Sequence, residues 1–407
     1  MSLTFDWFLP TTGDSRALVG GGHSVPTDLG REGGPLDTAG RFREPDLKYL
    51  VQVARTAEDL GFDAVLTPTG TPCEDAWVVA SALIPETERL KFLIALRPGL
   101  ISPTLLAQMA STFQRLSGDR LLLNVVVGGD PSEQLRFGDR VQKDDRYARA
   151  AEFLQVFRGA FTEAGSTFRG EHYDVQDART RRPARVPQIY LGGSSAAAGP
   201  VTAAHTDVYL TWGEPPGAVA DKIAWIRKLA DEQGRTVRFG VRLHTISRDH
   251  SQDAWQIADR MLAGLDPAQV AQAQEALAAS ESEGQKRMRE LHGGAFDRAD
   301  ARSLEVHPGL WAGVGLMRSG AGTALVGSHT EVADLIGEYA EIGIDEFVMS
   351  GYPHVEEAYW FAEGVLPILR KRDVIPGGGE APPPPRAPPP GACRRRPARD
   401  DVPALLC

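Results

Sequence analysis

Glu58-Asp-Leu-Gly-Phe-Asp-Ala-Val-Leu66 decides the fold of this chain, and its pattern returns near the other end as Glu341-Ile-Gly-Ile-Asp-Glu-Phe-Val-Met349. Each stretch is the end of a helix, a glycine that caps it, and a short apolar run. Glycine takes the left-handed backbone of a helix cap at little steric cost. The run that follows is continuous, without an apolar–polar alternation, and reads as a strand covered on both faces, as in a parallel sheet flanked by helices. Upstream of Gly61, residues Leu47, Leu50, Val51, Ala54, Ala57 and Leu60 recur at helical spacing.

Outward from these two units the same alternation continues. Apolar runs predict strands at residues 3–9, 63–67, 92–97, 121–127, 188–191, 207–211, 237–247 and 345–350, with helices at 74–83, 103–116, 146–161 and 331–343. Eight strands alternating with helices place the chain in the α/β class and favour a closed (β/α)8 TIM barrel over an open doubly wound sheet. No Gly-x-Gly-x-x-Gly follows an early strand, which argues against a dinucleotide-binding Rossmann domain. The barrel domain is expected to occupy residues 1–372. It carries a Gly-rich insert at about 15–44 and a helical insertion at about 251–310. Within that insertion, residues 254–265 and 268–291 show two helical patterns, positioned to overhang the barrel mouth. Residues 373–407 are so rich in proline, glycine and arginine that a disordered low-complexity tail is expected.

Composition narrows the function classes. Among 407 residues, 54 acids against 44 bases give a net charge of −10, which argues against a nucleic-acid partner. No apolar run approaches a membrane span, and the first ten residues read as a strand and not as a signal peptide. The three cysteines, Cys73, Cys393 and Cys407, exclude a disulfide scaffold, and a cytoplasmic location is the expectation. No clustered His or Cys spacing offers a metal site.

In a barrel of this kind chemistry gathers at the C-terminal ends of the strands. Those positions hold Pro68-Thr-Gly-Thr-Pro-Cys-Glu-Asp-Ala-Trp77, Arg97-Pro98, Asn124, Gly192-Gly-Ser-Ser195, Thr211-Trp-Gly-Glu-Pro215, Arg242-Leu-His244 and Gly351-Tyr-Pro-His354. Gly193, Ser194 and Ser195 turn from a strand into a helix start, where free N–H groups and hydroxyls suit an anion such as a phosphate. Arg242 and His244 stand two apart on one strand and so share a face, which brings a fixed cation and a titratable imidazole into one pocket. Tyr352 and His354 flank a proline just past the neighbouring strand. Cys73 precedes a helix N-terminus, which would lower its pKa; a small residue packed near a ligand is the alternative. Arg318 lies in residues 313–324, whose four glycines before Thr323 make a flexible loop able to close on an anionic substrate.

Several longer blocks carry a family resemblance: Trp7-Phe-Leu-Pro10, Cys73-Glu-Asp-Ala-Trp77, Ala95-Leu-Arg-Pro98, Tyr209-Leu-Thr-Trp-Gly-Glu-Pro-Pro216, Phe239-Gly-Val-Arg-Leu-His244, Leu310-Trp-Ala-Gly-Val-Gly315 and Gly351-Tyr-Pro-His-Val-Glu-Glu-Ala-Tyr359. In this order and spread they closely resemble the reduced-flavin-dependent alkanesulfonate monooxygenases of the bacterial luciferase-like superfamily. The resemblance implies a barrel that takes reduced FMN (FMNH2) from a separate NAD(P)H-dependent FMN reductase, uses O2, and splits the carbon–sulfur bond of an organosulfonate into aldehyde and sulfite. It also implies a homodimer or homotetramer. By position, Cys73, Arg242, His244, Arg318, Tyr352 and His354 match the family's active-site residues. Gly193, Ser194, Ser195 and Tyr147 would hold the FMN phosphate, with Asn124 near the ring. Either Arg242 or His244 would serve as the acid–base group. Thr12 in place of a histidine and Gly129 in place of a hydroxyl residue depart from the pattern. The near alternatives are another organosulfur substrate (a sulfone or methanesulfonate), hydride transfer with a deazaflavin, and a flavin-binding protein without turnover.

Overall fold

The structure is a computed structural model that describes residues 3–18, 42–162, 165–182, 184–293 and 300–374. Most of the Gly-rich insert and of the C-terminal segment, with Cys393 and Cys407, lies outside the described residues.

Eight parallel strands close on themselves: β1 (Thr4–Phe8), β2 (Ala64–Thr67), β3 (Lys91–Leu96), β4 (Leu121–Val125), β5 (Gln188–Leu191), β6 (Val208–Trp212), β7 (Arg238–Arg248) and β8 (Glu346–Ser350). Each pairs with the next, and β8 returns to β1 through Thr4–Glu346 and Trp7–Met349. The chain is therefore a TIM barrel, as the two repeated units require. Gly61 and Gly343 sit at φ 86° and 106°, so each ends its helix where a residue with a Cβ would be strained. Phe8, Leu66, Leu93, Leu122, Tyr190, Leu210 and Val348 fill the barrel interior. A larger cluster, with Trp7, Phe92, Phe347 and Phe361, packs the outer strand faces against the helices. Among the described residues no helix is long and apolar enough to cross a membrane.

Three features were not legible in the sequence. β7 is long because it serves two partners: residues from Gly240 to His244 pair with β8, and those from His244 to Arg248 pair with a further parallel strand, Ala324–Ser328. Ser166–Arg169 and Asp174–Ala178 form an antiparallel hairpin whose mixed polar composition lacks a strand signal. The insertion after β7 holds three helices, not two: Ser251–Ala263, Pro267–Ala278 and Glu283–His292. The expected 268–291 pattern breaks because Ser282 accepts a hydrogen bond from Gln285 N and starts a new helix.

Candidate active site

A cavity of about 710 Å³ opens at the C-terminal ends of the strands. Asn124, Tyr147, Gly193, Ser194, Ser195 and Arg242 all line it, as do residues of the helices Pro267–Ala278 and Glu283–His292, which close it from above. Those helices are fastened across the mouth. Glu281 N and Ser280 Oγ both donate to Gly129 O, at 2.8 and 3.0 Å. This contact accounts for glycine at position 129, because a Cβ there would stand 2.7 Å from Ser282 Cβ.

The 192–195 turn is shaped by its glycines. A Cβ on Gly192 would meet Leu210 O at 2.3 Å. Gly193 has φ 149°, and a Cβ there would lie 2.7 Å from Ala198 and 2.8 Å from the Tyr147 hydroxyl. Tyr209 donates to Gly193 O at 2.9 Å and holds the turn. Burial pushes the Tyr147 phenol above its ordinary pKa, so it stays a neutral hydroxyl facing the turn.

The other predicted residues form a packed layer beside the cavity. His244, Arg318, Tyr352 and His354 are all buried. His244 stacks on Tyr352 with centroids 5.2 Å apart, and Tyr352 meets His354 edge-on at 5.3 Å. The Arg318 guanidinium lies 5.0 Å over the Tyr352 ring, and that of Arg242 lies 4.4 Å over Phe8. The loop that brings Arg318 is buried along its length. Gln274 donates to Gly315 O and Leu316 O, and Gln285 accepts from Gly320 N at 3.0 Å.

A family model described as luciferase-like monooxygenase matches residues 5–346. The chain belongs to that family. Solved structures agree in fold. A riboflavin lyase determined with modified FMN and riboflavin superposes with a TM-score of 0.71 at 21% identity, over 93% of each chain. The EDTA monooxygenase of Chelativorans sp. BNC1 gives 0.67 at 20% identity, over 92% of this chain and 95% of its own. A long-chain alkane monooxygenase gives 0.71 at 17% identity, over 92% of each.

In this luciferase-like monooxygenase the charges of the packed layer are set by burial. Desolvation lowers Arg242 to about 10; desolvation and then the charge of Arg242 lower Arg318 to about 9. Both stay cationic at neutral pH. Burial, followed by the fields of Arg318 and Arg242, holds His244 well below the usual imidazole range. The ring is neutral, and both nitrogens are used. Nε2 donates to Ala321 O at 3.1 Å, so Nδ1 accepts from the Ser350 hydroxyl at 2.8 Å.

Cys73 corrects an expectation. Its place before a helix does not depress the thiol, because burial dominates and pushes it up to about 12, although Arg97 and Arg318 lie within electrostatic reach. The thiolate is therefore absent at neutral pH.

Lys222 and Asp14 escaped the sequence reading, and Arg97 was named there without its partner. Arg97, at the end of β3, lines the cavity and is paired with Glu133. Glu133 also accepts from Thr71 N at 3.0 Å, so it ties three strand-end segments together. Lys222 lines the cavity and is held by Glu214 and by Thr211 at 3.1 Å. Asp14, past the end of β1, meets His354, past the end of the neighbouring β8. Arg97 sat in the strand-end inventory. The partners of Arg97 and Asp14 are remote in sequence, and those of Lys222 lie 8 and 11 residues away, at spacings that periodicity does not register.

Proposed function

We propose that this chain is a two-component flavin-dependent monooxygenase that takes reduced FMN from an NAD(P)H-dependent FMN reductase and, with O2, desulfonates alkanesulfonates to aldehyde and sulfite. The observation that carries this reading is the buried pair Arg242 and Arg318 beside a cavity whose wall is the 192–195 turn. Asp14 offsets part of the charge of Arg318, and two cations enclosed together are further stabilised when an added anion joins them. A sulfonate suits them because it stays charged at physiological pH and accepts the charge-assisted bonds of a guanidinium fork.

The residues present fit FMN. The cavity volume falls in the ~300–1,000 Å³ range of small-molecule sites. The glycine cradle at 192–193, with Ser194, Ser195 and the neutral Tyr147 hydroxyl, would hold the phosphate. Leu66, Ala95 and Val125 offer an apolar wall to the ring, with Asn124 beside it. When bound, reduced FMN supplies the activation of O2 that puts one oxygen atom into the product and the other into water.

The protein's own groups then have separable tasks. Arg242 and Arg318 hold and orient the sulfonate. Neutral His244, bonded at both nitrogens, is a wall that fixes Tyr352 and does not carry protons, which leaves the acid–base assignment away from it. The 313–324 loop covers the site, so substrate enters when it opens and is shielded from water when it returns. Val78, Leu105 and Leu116, exposed on the helices after β2 and β3, are the surface we assign to a homodimer or homotetramer contact.

Sulfite release from octanesulfonate, with FMN, NADH and a flavin reductase, tests the proposal. Stoichiometric sulfite per substrate consumed is expected. If reduced FMN binds and no sulfonate from methanesulfonate to decanesulfonate yields sulfite, the desulfonation reading fails. Turnover of dimethylsulfone in the same assay would move the substrate class.

A further inference from the structure

Asp14, just past β1, is buried, and its carboxylate is fully occupied. Oδ2 accepts the backbone N–H of His354 at 2.8 Å and the Tyr49 hydroxyl, while Oδ1 faces His354 Nδ1 at 2.9 Å. Burial alone would raise this acid, but His354 and Tyr49 hold it below its ordinary value, so it is a carboxylate. A carboxylate only accepts. Nδ1 must therefore carry a proton toward Asp14, which leaves Nε2 as the ring nitrogen that faces the site.

Among the described residues, His354 Nε2, the Tyr352 hydroxyl and Arg242 Nε are buried without a hydrogen-bond partner. They belong to one cluster. The His354 ring lies against Tyr352 and 5.7 Å from Phe8, the ring that Arg242 covers. Three orphaned polar atoms in one buried place mark where a polar ligand belongs.

We propose that Asp14 is a positioning residue that sets the tautomer of His354, so that Nε2 is the atom of this site that takes up and returns a proton. The inference rests on the monooxygenase reading and extends it. Arg242 and Arg318 stay charged and His244 is tied at both nitrogens, whereas His354 is tied at one. The charged and titratable groups that face His354 are Asp14 and Tyr49 on one side and Tyr352, His244 and Arg318 on the other. Arg43, 4.0 Å from Asp14 and paired with Glu356, stands behind the carboxylate.

Asp14→Asn separates this role from a structural one. The two donors at Oδ2 keep the amide oxygen on their side, so the NH2 group faces Nδ1 and forces the proton onto Nε2. Nitrogen-15 NMR of the His354 ring, in the full chain without flavin, is expected to show Nδ1–H in the native protein and Nε2–H in the variant. The kcat for sulfite release from octanesulfonate should fall at least about 100-fold, as a wrong tautomer does in other Asp–His pairs, with KM and FMN affinity within about threefold. Adding Asp14→Asn to His354→Gln should cost nothing further. A native ring protonated at Nε2 overturns the proposal, and that measurement needs no variant to fold. A double variant much slower than His354→Gln overturns it as well. If the native chain releases no sulfite from any sulfonate, the functional reading falls while the tautomer still decides the role of Asp14.

Discussion

At the N-terminal ends of the strands Asp6 and Glu346 are buried side by side; at the C-terminal ends the buried pair is Arg242 and Arg318. Asp6 and Arg242 flank Val348 in register on β1 and β7, yet the two charged pairs resolve their charge differently. Asp6 is raised well above the usual carboxylate range by burial and then by Glu346, and Glu346 is raised by burial against the pull of Arg238. Arg238 donates to Glu346 at 2.6 Å. An acid pair relieves its repulsion by binding a proton. A guanidinium pair lowered to about 9 and 10 does not lose one at neutral pH and keeps its charge, with Asp14 acting on Arg318. The floor of the barrel thus relieves its charge by taking up a proton, and the mouth keeps its charge.

The comparison can be broken most strongly at the mouth. Arg318→Ala and Arg242→Ala are each expected to cut sulfite release by about 10²–10³-fold, with reduced-FMN affinity largely intact for Arg318→Ala. Equal loss of both activities would make the Arg318 loop a structural element. Octanesulfonate at a hundredfold its Kd adds ~2.7 kcal/mol of stability; thermal melts should register this in the native chain and not in Arg318→Ala.

A smaller effect is expected on the cavity wall. Gly193→Ala places a methyl against Ala198 and the Tyr147 hydroxyl at an unfavourable φ, and FMN affinity measured by fluorescence titration should weaken at least ~10-fold, about 1.4 kcal/mol. Unchanged affinity would remove the 192–195 turn from the phosphate site.

At the floor the sign reverses. A raised folded-state pKa means that Asp6 contributes stability below the unfolded carboxylate pKa and loses it as pH rises through the folded value. Asp6→Asn keeps a neutral side chain at every pH. Its melting temperature should exceed the native one by roughly 2–4 °C at pH 8, with the gain shrinking toward pH 4. A gain that grows as pH falls would refute the shared-proton floor. The smallest effect belongs to Cys73→Ser. With the thiol pushed up to about 12, turnover should stay within about threefold and iodoacetamide should not inactivate the native chain at pH 7.

The legible part of this molecule is local. All eight strands were found from continuous apolar runs, and Gly61 and Gly343 marked two of their beginnings. The strand-end inventory held Asn124, the 192–195 turn, Arg242, His244, Tyr352 and His354, and strand parity put Arg242 and His244 on one face. The break at residues 279–282 escaped because the helical periodicity on either side is in phase. The Ala324–Ser328 strand escaped because its pairing partner is the far half of β7.

Sequence alone determined the barrel and which side chains reach its mouth, because helix caps and buried strands are written in neighbouring residues. Tertiary structure decided what those side chains are. Cys73 became a thiol through burial. His244 is neutral through burial and bonded by Ser350 and Ala321, and His354 Nδ1 is bonded by Asp14, hundreds of residues away in the chain. Protonation and tautomer depend on solvent exclusion and on partners brought together by chain closure, and neither has a period that a sequence displays.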